Sequence, residues 1–223
     1  VVHSTTKFLS GHGNAMGGAI VDSGTFDWGQ NDKYPSLAQP EEAYHGLNFY
    51  ESFGDLAYTT YGHAVGLRDL GPTMVPMNAY LTIMGIETLA LRMEKHVANA
   101  EVVANYLHNH AKVSWVSYAG LEESNYFHLA KKYLPKGAGS VFTFGIKGGY
   151  DAGVKFVEKC QLLSHLANIG DTRSLVLHPA STTHRQLTET QRISAGAGDD
   201  VIRLSIGLET VEDIIADLEQ ALR

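Results

Sequence analysis

The run HSTTKFLSGHG, residues 3–13, carries the most informative chemistry of the chain. Ser4 and Thr6 stand two residues apart, so in an extended segment both hydroxyls point to one side and can bond the same phosphate. Lys7 adds an amine that can form a Schiff base with an aldehyde, and the glycines that follow let the backbone turn sharply beside a ligand. The run indicates a phosphate-plus-lysine site, although on these residues alone an ordinary Ser/Thr-rich turn with a solvated lysine stays open.

Composition and motifs exclude several classes of protein. The net charge is −7 and the 17 Lys and Arg residues are scattered, whereas nucleic-acid binding favours a basic stripe. No run of about 18 apolar residues predicts a membrane span, and neither a Walker A loop nor a G-x-G-x-x-G fingerprint occurs. A single cysteine, Cys160, excludes an internal disulfide, and no segment is typical of a signal peptide, so we expect a protein of the reducing cytoplasm.

Hydrophobic periodicity predicts a mixed α/β chain. Apolar residues at spacings of three and four predict one continuous helix through Ile86, Leu89, Met93, Val97, Ala100, Ala104 and Leu107. The other expected elements are strands near 1–3, 17–21, 113–118, 140–146, 174–178 and 201–206, a long loop over 23–50, and helices near 54–69, 150–166 and after Thr210.

The order of these elements predicts three parts. Residues 1–75 would be the C-terminal part of an α/β domain, residues 76–111 a linking helix, and residues 112–223 a smaller α+β domain. The last helix should begin after Thr210, where Asp213 stands three residues on as in a capping box.

The run at 3–13 resembles the cofactor-lysine segment of the Cys/Met-metabolism family of pyridoxal-phosphate enzymes. The resemblance covers almost the whole chain through motifs in the same order: GIETL at 85–89, LRM at 91–93, HVANA at 96–100, KGG at 147–149, HPASTTH at 178–184 and RLSIGLE at 203–209. It implies the C-terminal part of a fold-type-I pyridoxal-phosphate large domain, a long linking helix and a smaller α+β C-terminal domain.

The same resemblance implies roles for the first motif. Lys7 would carry pyridoxal 5'-phosphate as a Schiff base and later move protons at the substrate carbons, while Ser4 and Thr6 would bind the cofactor phosphate. A freed lysine amine suits this work because a desolvated pocket and nearby cations both lower its pKa.

Arg203 is the candidate for binding a substrate carboxylate. It lies in the middle of an apolar predicted strand, where an arginine is rarely buried without an anion. Its planar guanidinium matches a carboxylate with two parallel hydrogen bonds. The residues alone leave a structural ion pair open, and the resemblance implies that Arg203 anchors the substrate α-carboxylate.

Asn168 marks a departure from most lyases of the family, which carry serine where this chain has Asn168-Ile169-Gly170. An asparagine amide can also donate to a substrate carboxylate, from a longer arm, and Thr183 is expected to border the same site. The departure resembles the O-acetylhomoserine sulfhydrylase branch, as do the segments at 24–50 and 71–79. That branch implies conversion of O-acetylhomoserine and sulfide to homocysteine and acetate. A methionine γ-lyase, a cystathionine γ-synthase or lyase, and a non-catalytic assembly fragment are the alternatives.

The family's glycine segment for the phosphate, its ring-stacking aromatic residue and its aspartate for the pyridine nitrogen all precede the lysine, and only six residues precede Lys7 here. We therefore expect an intact polypeptide of roughly twice this length, assembled as a homotetramer of dimers. No metal site is expected, because no carboxylate or cysteine stands at ligand spacing from the histidines. Cys160 on an amphipathic helix is expected to be a packing residue.

Overall fold

The computed structural model describes all 223 residues, which group into two compact units. Residues 1–4 and 16–79 form the first unit, and residues 5–15 and 80–223 form the second. The lysine segment and the long helical stretch therefore group with the C-terminal residues. The division at residues 75 and 111 stays a prediction about the domains of the whole protein.

The first unit contains a two-stranded ribbon and short helices. Strand β1 (Val2–Ser4) pairs antiparallel with β2 (Gly18–Ile20). Most of the predicted loop over 23–50 is irregular, whereas the predicted helix over 54–69 is divided into a 3-10 turn, a short α-helix and a π-helical segment. The helical segments are α1 at Pro35–Ala38, a 3-10 turn at Glu42–Tyr44, α2 at Phe49–Phe53, a second 3-10 turn at Gly54–Leu56, α3 at Ala57–Tyr61 and the π-helix at Gly62–Asp69.

Aromatic packing organises this unit where hydrophobic periodicity is weak. The Trp28 ring stacks on Tyr58 with centroids 5.2 Å apart. Phe49 is buried, and Tyr44 and Tyr61 meet it in edge contacts at 5.4 and 5.2 Å. Such aromatic pairs add about 0.5–1.5 kcal/mol each beyond the area they bury. They explain how a segment rich in Gly, Pro and Asn is ordered.

The second unit is built on a five-stranded sheet of order β3-β4-β7-β6-β5. All neighbours are antiparallel except β5 and β6, which are parallel. The central strand β7 places Arg203 opposite Thr143 on one side and Leu177 on the other. The strands are β3 (Val113–Ser117), β4 (Val141–Ile146), β5 (Ser164–His165), β6 (Leu175–Leu177) and β7 (Val201–Ser205). Four of the five follow predicted strands, and the short β5 was not predicted.

Helices complete one hydrophobic core with this sheet. They are α5 (Leu89–His108), α7 (Gly149–Lys159) and α9 (Val211–Leu222). Two further short helices, α6 (Phe127–Tyr133) and α8 (Glu189–Ser194), were not predicted. Helix α9 packs on this core through Ile214 and Leu218, which are fully buried. The predicted capping box at its start is wrong, since the Thr210 side chain makes no capping bond, whereas Thr188 and Gln191 form one on α8. None of the helices combines the length and apolar character needed to span a bilayer.

The predicted continuous helix through the middle of the chain is interrupted. Helix α4 (Pro76–Glu87) ends before Thr88, whose amide donates to the Gly85 carbonyl at 3.3 Å, and α5 follows. The buried face also differs from the predicted stripe, because Ile86 is 46% exposed. The first three buried residues of α5 are polar, namely Arg92, His96 and Asn99.

The predicted helix over 150–166 is shorter, because α7 ends at Lys159. The chain then turns under the buried carboxylate of Asp217, which accepts hydrogen bonds from the backbone amides of Gln161, Leu162 and Leu163 at 2.8, 2.9 and 3.0 Å. One side chain on α9 thus satisfies three amides that a longer helix would have bonded internally. This contact fixes where α7 stops.

We predict that Asp217→Asn lowers the free energy of unfolding by about 2–3 kcal/mol, since at least one buried amide loses a charged acceptor. Chemical denaturation of the purified protein measures the change. Glu212→Gln is the matched control, because Glu212 lies exposed on the same helix and a surface change of this kind should stay within about 0.5 kcal/mol. Equal stability of the two variants would show that Asp217 does not hold the turn.

Candidate active site

Lys7 lies in a tight turn of residues 5–11, here called the lysine turn. The Ser10 amide donates to the Thr5 carbonyl at 3.0 Å, and the Gly11 amide donates to the Lys7 carbonyl at 2.8 Å. These bonds fold the backbone immediately after β1 ends. The Lys7 side chain is half-buried within this turn.

Arg92 on α5 holds the other end of the lysine turn. Its guanidinium donates to the carbonyls of Phe8 at 2.9 Å and Leu9 at 3.4 Å, and also to the Gly85 carbonyl at 2.7 Å. Burial lowers the pKa of the Arg92 guanidinium. Arg92 lies in the LRM motif at 91–93, which was the only signal for it in the sequence. The helix was predicted from its apolar residues, and that pattern assigns no role to a polar residue.

Asn168 meets the catalytic candidate directly, because the Lys7 amine donates to its side-chain carbonyl oxygen across 161 residues of sequence. Its Nδ2 faces Gly13, where a Cβ atom would lie 3.0 Å from that nitrogen. Any side chain at position 13 would therefore press on the amide. The structure brings together two residues that the sequence predicted for the same site.

Arg203 joins this pair through the backbone, donating to the Asn168 carbonyl at 3.3 Å. It is half-buried, and burial lowers the pKa of its guanidinium. Arg203 forms none of the ion pairs of the chain. No carboxylate of this chain therefore pairs with Arg203, and its one hydrogen bond within the chain uses a single guanidinium nitrogen.

The segment after Asn168 closes over the lysine turn. Gly170 has φ of +72°, and a Cβ atom there would lie 2.7 Å from the Phe8 amide nitrogen. Its own amide donates to the Ser205 hydroxyl at 3.0 Å. Ser205 lies two residues beyond Arg203 and so shares its face of β7. That spacing within the RLSIGLE motif is the signal that could have identified Ser205 as a support of the site.

The remaining predicted site residues are Ser4, Thr6 and Thr183. Ser4 ends β1 and belongs to the first unit, whereas Thr6 lies in the lysine turn, where its carbonyl accepts from the Ser10 hydroxyl at 3.1 Å. Strand geometry ends at Ser4, so the argument that an extended backbone aligns the two hydroxyls does not hold. Thr183 is exposed and its hydroxyl contacts His184 at 2.8 Å, with no bond to Lys7, Asn168 or Arg203.

Two other conspicuous residues have structural environments. His178 is fully buried, with its ring nitrogens 2.9 Å from the Ser181 hydroxyl and 2.9 Å from the Asp199 carbonyl. Cys160 packs against the hydrophobic core, and burial raises the pKa of its thiol to about 12. The thiol therefore stays neutral at physiological pH, which agrees with its predicted packing role.

Curated relatives match the chain over its full length. It is 51% identical over 223 residues to a homocysteine synthase of Schizosaccharomyces pombe, and 48% identical over 232 aligned positions to an O-acetyl-L-homoserine sulfhydrylase of Leptospira meyeri. Each match covers 100% of this chain and 52% of the relative. The chain thus spans about half the length of these relatives.

A solved structure from Campylobacter jejuni, provisionally described as an O-acetylhomoserine (thiol)-lyase with a pyridoxyl-lysine phosphate, superimposes with a TM-score of 0.88 at 42% identity. The match covers 99% of this chain and 53% of that one. The family model for Cys/Met metabolism PLP-dependent enzymes matches residues 1–223. The family resemblance seen in the sequence is confirmed: the chain belongs to the Cys/Met metabolism family of pyridoxal-phosphate-dependent enzymes.

Proposed function

We propose that the protein containing this chain is an O-acetylhomoserine sulfhydrylase, which converts O-acetylhomoserine and sulfide to homocysteine and acetate with pyridoxal 5'-phosphate. The observation that carries the proposal is the cluster in which Asn168 contacts both the Lys7 amine and the Arg203 guanidinium. In this cluster the Lys7 amine could bind the aldehyde of the cofactor, and the neighbouring Arg203 guanidinium could bind the carboxylate of an amino-acid substrate. The names of the relatives from fission yeast and Leptospira support the choice of substrate.

The residues present fit the lysine end of the cofactor. Lys7 would carry it covalently, and the hydroxyls of Thr6 and Ser4 would bind its phosphate. The absence of a side chain at Gly13 lets a ligand approach Asn168, where a Cβ would come within 3.0 Å. When bound, pyridoxal phosphate supplies the electron sink that makes the substrate carbons acidic.

The chain's own residues would then bind the substrate and move its protons. Arg203 would bind the α-carboxylate through the donors it does not use within the chain. Asn168 would orient the substrate from its Nδ2 while its carbonyl oxygen holds the Lys7 amine. Lys7, once freed from the cofactor, would remove protons from the α- and β-carbons so that acetate can leave the γ-carbon, and would return protons after sulfide has added there. Thr183 would border the site from its exposed turn.

The proposal includes the rest of the protein. Residues 1–75 would complete the cofactor-binding domain of a type-I fold, residues 76–111 would link it to the C-terminal α+β domain, and 112–223 would form that domain. The other half of the polypeptide would supply the remaining cofactor contacts. Assembly into a homotetramer and a cytoplasmic location belong to the same proposal.

A substrate comparison tests the activity. The full-length protein is assayed with O-acetylhomoserine and sulfide, with O-acetylhomoserine and cysteine, and with methionine alone. We expect homocysteine formation from the first pair to exceed the other two reactions. Preference for cysteine as acceptor would indicate a cystathionine γ-synthase, and turnover of methionine alone would indicate a γ-lyase.

We predict that Lys7→Ala removes covalent cofactor attachment and lowers turnover by about 10²–10⁴-fold or more, as expected for loss of a general acid–base. Borohydride reduction followed by peptide mapping should find the cofactor on Lys7 in the parent protein. Lys155→Ala is the control, because Lys155 is an exposed lysine of the same unit and should leave attachment unchanged. Recovery of the cofactor on another lysine would overturn the assignment.

We predict that Arg203→Lys lowers kcat/KM for O-acetylhomoserine by roughly ten- to a hundredfold, since a hydrogen bond to a charged group contributes about 1.5–3 kcal/mol and lysine lacks the planar fork. The loss should lie mainly in KM if the contact is equally strong in ground and transition states. Cofactor absorbance without substrate should not change.

Arg185→Lys is the matched control for this measurement, because Arg185 is exposed in the same unit. Wild-type kinetics for Arg203→Lys would mean that Arg203 does not bind the carboxylate. If the variant loses cofactor binding and keeps its affinity for the substrate, Arg203 contacts the cofactor and not the substrate carboxylate.

A further inference from the structure

Arg92 carries a buried positive charge that no carboxylate of the chain meets. It is 6% exposed and takes part in none of the ion pairs. Burying a guanidinium is costly unless its donors are satisfied. Its partners here are three backbone carbonyls and the Thr88 hydroxyl, at 2.7 to 3.4 Å. Because the buried guanidinium makes its hydrogen bonds mainly to backbone carbonyls, its main structural effect is to fix the position of that backbone.

Two carbonyls of the lysine turn have no backbone amide as a partner, and the long side chain of Arg92 reaches both of them. The Thr5 and Lys7 carbonyls bond to backbone amides within the turn. The Phe8 and Leu9 carbonyls of the same turn receive no such amide and are bonded by Arg92. Partly buried carbonyls need partners, and one planar fork serves both of them. Arg92 therefore holds the part of the lysine turn that follows Lys7.

Helices α4 and α5 pack closely against the lysine turn. A Cβ atom on Gly85 would lie 2.3 Å from the Ser10 carbonyl oxygen, so α4 lies directly against the turn. One helical turn after Arg92, His96 contacts the Phe8 ring edge-on, with centroids 5.5 Å apart. Phe8, the residue next to Lys7, is thus held by Arg92 through its backbone and by His96 through its ring.

We propose that Arg92 is a positioning residue for Lys7, whose guanidinium fixes the lysine turn so that the amine meets Asn168 and the bound ligand in reactive geometry. The inference rests on the proposed function of Lys7. Arg92 itself touches neither the Lys7 amine nor Asn168 through any hydrogen bond of the structure. Its effect is transmitted through the backbone of Phe8 and Leu9.

The test compares Arg92→Met and Arg92→Lys with Arg192→Met in the full-length protein. Arg192 is a matched control, because it is also largely buried and bonds the Leu187 carbonyl at 3.1 Å and the Asp199 carboxylate at 2.8 Å, outside the lysine turn. Two quantities are measured besides the steady-state kinetics with O-acetylhomoserine. The first is amide hydrogen exchange at Ser10 and Gly11 in the cofactor-free protein. The second is the rate of pyridoxal-phosphate attachment to Lys7, trapped with borohydride.

We expect Arg92→Met to speed exchange at both amides and to slow attachment by about tenfold or more, since small misplacements of reacting groups cost up to about a hundredfold. The value of kcat should fall while KM for O-acetylhomoserine stays within about twofold, as expected when a reacting group rather than ground-state binding is lost. Arg92→Lys, which keeps the charge without the fork, should recover part of the attachment rate. It also carries the test if Arg92→Met fails to fold. Arg192→Met should leave exchange and attachment at parent values.

Parent-like exchange and attachment in both Arg92 variants would overturn the proposal. Equal slowing by Arg192→Met would overturn it as well, by showing that general destabilisation suffices. A parent protein that does not attach the cofactor at Lys7 would instead remove the proposed function. Hydrogen exchange separates the two failures, because it reports on the turn without cofactor.

Discussion

The candidate site depends on a single residue that bonds two cationic side chains. Asn168 accepts the Lys7 amine with its side-chain oxygen and accepts Arg203 with its backbone carbonyl. Because these are two different acceptors of one residue, the spacing between the amine and the guanidinium follows from the conformation of Asn168. A hydroxyl side chain would have a shorter arm and would hold Lys7 elsewhere relative to Arg203. In the proposed reaction, the asparagine would therefore set the spacing between the amine that acts on the substrate's carbons and the guanidinium that binds its carboxylate.

Helix α5 supports this arrangement through a buried polar face. Arg92 bonds carbonyls of the lysine turn, His96 lies with Nδ1 2.6 Å from the Ile206 carbonyl, and Asn99 donates to the Gly207 carbonyl at 3.0 Å. Burial lowers the pKa of His96, so the ring is neutral and its Nδ1 donates the proton that the carbonyl needs. One helix face thus bonds the backbone just beyond Lys7 and the backbone just beyond β7, the strand that carries Arg203.

The sequence predicted the residues whose chemistry is local and missed those whose partners are distant. Lys7 and Arg203 were singled out because an amine beside hydroxyls and a cation within an apolar strand are conspicuous over a few positions, and the family resemblance gave them their proposed roles. Strands β4 and β7 were found because alternation is a property of neighbouring residues. The break at Thr88 and the contacts of Arg92 were not predicted. Arg92 bonds a carbonyl 84 residues away, and a hydrophobic period among neighbouring residues carries no information about such a contact. The same limit explains Asp217, which ends α7 from a distance of 56 residues.

The position of Lys7 is determined by backbone contacts more than by the lysine itself. Gly85 and Gly170 come from distant segments, and a Cβ atom on either would lie within 2.7 Å of the backbone of the lysine turn. Real Cβ atoms do not approach backbone atoms so closely, so a side chain at either position would displace the turn. Changing Lys7 removes a chemical group, whereas changing these glycines or Arg92 would keep the group and move it. A catalytic amine needs both its chemistry and its placement, and under the proposed function different residues of this chain would supply the two.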